Sequence, residues 1–288
     1  MLCLVAARGP DGRLVVRADL LATTRLATGL RDGGLLDADA RARTRTAVAA
    51  LAERARGLGA RSVVALGTAA MRAAADGAAF AAEIEGATGV PVSILSGEDE
   101  ARLAYEAVAS GADGAVLAVD VGGRSTELVL AHGPRVEDVR SLGLGALALT
   151  EALVGDRPPA GRIGEVRLHV ERALATCDLP ARARTLGARV VASGGTATAV
   201  AALDLGLSAY DPERVHGHSL ATERLVALAL DAPASGALDD GRRHILPAGA
   251  VVVEAVARAA GAERGRDRFA AHGRSSARSA RMRAWRMP

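Results

Sequence analysis

The chain has 288 residues, enough for two medium domains with separate cores, and half of the residues are apolar although only 2% are aromatic. Two scattered cysteines, Cys3 and Cys177, exclude a disulfide framework or a cysteine metal cluster. No apolar run has the length of a signal peptide or a membrane span, so a cytoplasmic protein with no membrane partner is expected. The formal charge of +3 is uneven: from Arg264 onward eight arginines face the single Asp267, a surplus of +7 that leaves residues 1–263 at −4.

Residues 2–7 and 13–26 read as two strands around the turn Gly-Pro-Asp-Gly-Arg. Residues 37–56 open on Asp37, a good N-cap, and stop at Gly57, which predicts a helix. A buried strand at 62–66, a helix at about 77–86, a strand at 92–95 and a helix at about 98–108 follow. This alternation predicts an α/β layer with helices packed on a largely buried sheet. The small residues of 110–115 mark a linker, dividing a domain at 1–111 from one at 112–263. The pattern then restarts with a hairpin (115–120 and 125–130), a third strand at 135–142, a helix at 162–176 and a strand at 188–193. Helices beginning at Gly194, at 222–231 and at 248–260 complete it. Two units of similar order predict a duplicated fold with a cleft between the halves. Residues 264–288 combine single-sign charge with no apolar face and are expected to be disordered. Arginine blocks attract phosphates, but nucleic-acid binding is not expected of this tail.

Four loops share one design. Residues 66–72, 96–103, 119–127 and 192–200 each follow an apolar strand and supply small residues, hydroxyls or backbone amides where a helix or hairpin begins. Glycine permits close approach of an anion, and unpaired amides at a helix start point toward it. Asp120 and Glu127 lie on opposite arms of the hairpin, where both face one site and suit a hard divalent cation. Glu98, Asp99 and Glu100 begin a helix, where the dipole explains one carboxylate and leaves another available as a general base. Arg72, Arg102 and Arg124 carry guanidinium forks that match phosphate oxygens. The segment Val-His-Gly-His at 215–218 is not read as a zinc site, because alternate residues of an extended segment point to opposite faces.

Taken together, "GTAAMRAAADG", "SGEDEARLAYEAV", "VDVGGRSTELVL", "SLGLGALALTE", "ASGGTATAVAAL", "VHGHSLATERL" and "ILPAGAVVVEAV" resemble, in order and spacing, the exopolyphosphatase and guanosine pentaphosphate phosphohydrolase family. The resemblance runs from about residue 13 to 262. It implies two ribonuclease-H-like domains of the actin, sugar kinase and heat-shock chaperone superfamily around a phosphate cleft. The implied activity is metal-dependent removal of terminal phosphate from inorganic polyphosphate or guanosine pentaphosphate, with magnesium or another divalent cation as cofactor and a homodimer as the usual assembly. By resemblance Glu100 is the catalytic base, and Asp120 and Glu127 are the metal ligands. Phosphate binding falls to Thr68 and Arg72, to Gly122, Gly123 and Ser125, and to Gly194, Gly195 and Thr196. Arg124 stands where the family commonly has a third glycine; it can donate to a polyanion but adopts positive φ less readily. Family members also begin with a strand and an Asp-x-Gly-(Ser or Thr)-Asn turn ahead of the one matching residues 2–9, so the first domain is expected to be truncated. The alternative that this implies is a catalytically inactive protein that binds polyphosphate or nucleotide.

Overall fold

The computed structural model describes residues 2–8, 14–22, 24–31, 33–108, 114–155, 159–233, 238, 240–262 and 269–271. They fall into two compact units, and the division lies between Glu100 and Ala101, upstream of the expected linker, of which only 114 and 115 are described.

In the first unit β1 (Leu2–Arg8) and β2 (Leu14–Leu21) form an antiparallel hairpin, with a register shift between Val5 and Ala6. The helix α1 (Ala38–Gly57) starts where Asp37 predicts, with the Asp37 carboxylate accepting from the Ala40 amide at 2.8 Å. Its buried residues Ala40, Thr44, Val48, Ala52 and Ala55 recur every three or four positions and so form one stripe. The strand expected at 62–66 is shorter, β3 (Ala65–Gly67), followed by α2 (Ala69–Ala73), α3 (Gly77–Thr88) and β4 (Val92–Ile94), which is parallel to β3. Leu30, Leu36, Val48, Met71, Phe80, Ile84 and Val90 make the core. Arg41 fixes the α1–α3 contact: it pairs with Asp76 at 2.8 Å and with Glu83, and lies 5.1 Å from the Phe80 ring centroid. Among the described residues no strand joins the β1–β2 pair to the β3–β4 pair. Leu4, Val15, Val64 and Leu66 on or beside these strands are exposed.

Helix α4 (Gly97–Val108) carries the chain into the second unit, where Ala101 and Tyr105 are buried. Among the described residues six strands follow in the order β7 (Arg135–Leu142), β6 (Thr126–His132), β5 (Ala115–Val121), β8 (Arg189–Ser193), β10 (Phe269–Ala271) and β9 (His218–Leu220). Here β5 (Ala115–Val121) and β6 (Thr126–His132) are the expected hairpin, and β7 (Arg135–Leu142) pairs with β6. The short α5 (Ala146–Leu149) runs into a π-turn at Thr150–Val154. Then come α6 (Ile163–Leu174), α7 (Leu179–Thr185) and β8 (Arg189–Ser193), the last parallel to β5. Helices α8 (Gly194–Asp204) and α9 (Pro212–Val215) precede β9 (His218–Leu220), and α10 (Leu225–Leu230) and α11 (Asp240–Ala259) complete the helices. An antiparallel hairpin and third strand, joined to a parallel strand through the first, is the ribonuclease-H-like order. One correction concerns the tail: Phe269–Ala271 is a strand, β10, between β8 and β9. The remainder of 263–288 lies outside the described residues.

The buried strands alternate between two apolar faces, which is why their sequences read as continuous apolar runs. Leu117, Val119, Val121, Leu128, Leu130, Val190 and Ala192 enter the large core with α6, α8 and α11. Val116, Ala118, Val129, Ala131, Val139 and Val191 face the other way and are covered by Ala101 and Tyr105 of α4. The Tyr105 hydroxyl donates to the Gly133 carbonyl, and burial pushes its phenol above the usual range.

Candidate functional site

In the second unit, the site lies at the end of the face that α4 covers. Asp120 is paired in register with Glu127 on one side and Ser193 on the other, and Glu127 is paired with Ser141. Residues directly opposite in a ladder project from the same face, so Ser193, Asp120, Glu127 and Ser141 form one polar row across β8, β5, β6 and β7. The row one step back, Val191, Ala118, Val129 and Val139, is wholly apolar. A narrow cavity is lined by Asp120, Glu127 and Ser193 with Ala101, Tyr105, Ala118 and Val129. Glu127 is only 3% exposed, and a carboxylate this buried requires polar partners; one is the Ser141 hydroxyl, which donates to its Oε1 at 2.9 Å.

The hairpin turn between these acids is held from outside. The Gly122 amide donates to the Ser125 carbonyl at 2.9 Å, and the Ala146 and Ala148 amides at the start of α5 donate to the Gly122 and Gly123 carbonyls, each at 2.9 Å. A Cβ on Gly145 would lie 2.2 Å from the backbone N, Cα and C of Arg124, so only glycine lets the two segments touch. Arg124 itself does not have positive φ; Arg25 is the non-glycine residue that does among those described. The missing third glycine therefore introduces no backbone strain. Ser125 is buried, Arg124 half-buried and Gly123 exposed. On the adjacent loop Gly194 has φ +82°, and a Cβ there would meet Asp120 Oδ1 at 2.2 Å. Gly194, Gly195 and Thr196 open the eleven-residue α8, whose first amides are available to an anion.

The first unit holds the other expected residues. Arg72 Nη1 donates to the Leu95 carbonyl and to Glu100 Oε2, each at 2.9 Å. Ser96 caps α4: its hydroxyl accepts from the Asp99 amide at 3.0 Å and donates to the Asp99 carboxylate at 2.7 Å. Of the three acids at this helix start, Asp99 is thus engaged in capping and Glu100 with Arg72. Thr68 precedes α2, is exposed, and makes no capping bond with its side chain. Arg102 is exposed. His218 pairs with Asp204 at 2.7 Å.

Among the described residues no group of three or more His, Cys, Asp or Glu side chains is arranged to hold a metal. The pair Asp120 and Glu127 suits a cation that needs few protein ligands. Magnesium fits this, since it takes one or two carboxylates and completes its shell with water and substrate phosphates. Sequence reading missed Ser141, Ser193, Gly145 and Tyr105. The first two are legible only through strand register.

A family model, described as the Ppx/GppA phosphatase family, matches residues 6–267. The chain belongs to the Ppx/GppA phosphatase family. A guanosine-5'-triphosphate,3'-diphosphate pyrophosphatase of Vibrio cholerae is 34% identical over 156 residues, a match covering 54% of this chain and 31% of that protein. The match thus spans about a third of the length of that curated relative. The solved Aquifex aeolicus PPX-GPPA enzyme superposes with a TM-score of 0.75 at 25% identity, covering 96% of this chain and 93% of that one. An exopolyphosphatase from Cytophaga hutchinsonii shares the fold, with a TM-score of 0.82 at 16% identity over 96% of this chain and 92% of that one. No helix among the described residues is long and apolar enough to cross a membrane.

Proposed function

We propose that this member of the Ppx/GppA phosphatase family is a cytoplasmic, magnesium-dependent hydrolase that removes the terminal phosphate of inorganic polyphosphate or of guanosine pentaphosphate. The supporting observation is the in-register pair Asp120 and Glu127, beside a glycine turn and a helix start, within a chain that the family model matches over residues 6–267. In this reading Glu100 takes the proton of the attacking water, whose oxygen bonds to the terminal phosphorus. The bridging P–O bond breaks, and its electron pair leaves with the shortened chain or nucleotide. Arg72, bonded to Glu100 at 2.9 Å, fixes the orientation of that base. Asp120 and Glu127 are the carboxylates that would hold magnesium, which when bound neutralises phosphate charge. Gly122, Gly123, Arg124 and Ser125, Gly194 through Thr196, and Thr68 bind phosphate oxygens.

A second reading, binding without turnover, is favoured by one observation: the Glu100 carboxylate is already engaged by Arg72 Nη1 at 2.9 Å, an ion pair that competes with its taking a proton from water. Phosphate release with magnesium from each of the two substrates decides between them. Release that is lost in Asp120→Ala supports the hydrolase. Substrate binding with no release by the unsubstituted chain replaces it with the second reading.

A further inference from the structure

We propose that Ser141 is a positioning residue for Glu127, an inference that rests on the reading of Asp120 and Glu127 as cation ligands. Ser141 lies on the edge strand β7, is itself exposed, and is the register partner of the buried Glu127. Every position one step back along its face is apolar, so the row through Ser141 is where this face changes from core to polar chemistry. A serine hydroxyl has one proton, and here it is directed to Glu127 Oε1 at 2.9 Å. That bond fixes the plane of a carboxylate whose terminal torsion is otherwise soft. It also engages one of the two oxygens on the side of β7, opposite to the neighbouring Asp120 on β5. A ligating carboxylate held in this way needs no reordering when a cation arrives, and outer partners of this kind alter metal affinity by about 10- to 100-fold when removed.

The test is equilibrium binding of Mn2+ alone, followed by electron paramagnetic resonance, with the full chain and three variants: Ser141→Ala, Ser141→Thr and Asp120→Asn. The expected result is Mn2+ binding by the unsubstituted chain that is lost in Asp120→Asn, weakened about tenfold or more in Ser141→Ala, and largely retained in Ser141→Thr, with Ser141→Ala still folding cooperatively and its melting midpoint lower by no more than a few degrees, as loss of one hydrogen bond to a buried carboxylate requires. Binding by Ser141→Ala equal to that of the unsubstituted chain overturns the role of Ser141 while leaving the acid pair standing. Equal weakening in Ser141→Ala and Ser141→Thr overturns it too, since the hydroxyl would then not be the active feature. Absence of Mn2+ binding by the unsubstituted chain overturns the acid pair as a cation site, and Ser141 with it.

Discussion

Gly145→Ala probes the contact that shapes the hairpin turn. Gly145 has φ −85° and ψ 144°, a conformation open to any residue, so its replacement carries no backbone penalty. The penalty is steric: the new Cβ would sit 2.2 Å from three backbone atoms of Arg124, where ordinary contact begins at 3.4 Å. Backbone cannot swing aside as a side chain would, and the turn is tied to α5 through the Ala146 and Ala148 amides. Relieving the clash stretches those two bonds, worth about 1 kcal/mol each, or leaves an overpacked contact costing about 1–3 kcal/mol. The smaller entropy of the unfolded alanine chain offsets about 0.4–1 kcal/mol. The net is about 1–1.5 kcal/mol, or a melting midpoint lower by roughly 2–6 °C. Gly123→Ala is the control, because its Cβ would meet nothing nearer than Leu147 Cβ at 3.7 Å, an ordinary contact. Calorimetry of both variants checks the reasoning. A Gly145→Ala protein that melts with the unsubstituted chain would refute the close approach of Gly145 to Arg124. If the turn binds phosphate, a displacement of about 1 Å should also reduce hydrolysis about 100-fold.

Three further outcomes are expected. Burial opposes ionisation of Asp138, but bonds from Arg182, the Val139 amide and Arg140 outweigh it and hold its carboxyl below the usual range. Its native pKa being the lower, its stabilisation is complete above the unfolded value and disappears as pH falls through the native one. The gap in urea midpoint between the unsubstituted chain and Asp138→Asn should therefore close on acidification, and a constant gap contradicts this. Asp37→Ala removes the bond to the Ala40 amide and should lower stability by about 1 kcal/mol in urea unfolding. Tyr105→Phe leaves the buried Gly133 carbonyl without its hydroxyl donor and should lower it by about 1 kcal/mol, against no change if that bond is unimportant.

What was legible in the sequence was local. The Asp37 cap, the apolar runs of β5, β6 and β8, and the glycines at 122, 123 and 194 each act within a few residues of themselves, and all occupy the expected elements. What was hidden is set by distant partners. Phe269–Ala271 is three apolar residues among arginines, and only the adjacent edges of β8 and β9 make them a strand. The unit boundary falls within a single helix because α4 presents Ala101 and Tyr105 to the core of the second unit, which composition cannot reveal. The lower readiness of Arg124 to adopt positive φ has no consequence because the turn closes without positive φ there, the close approach being made by Gly145 instead. Ser141 is one exposed serine among many until the register sets it beside Glu127.

The most direct test of the central claim is phosphate release by the full chain and by Glu100→Ala, with magnesium and either polyphosphate or guanosine pentaphosphate as substrate. Loss of a general base should reduce release by about 100-fold or more while substrate binding persists. Release by Glu100→Ala at the rate of the unsubstituted chain would contradict the assignment of Glu100 as the base.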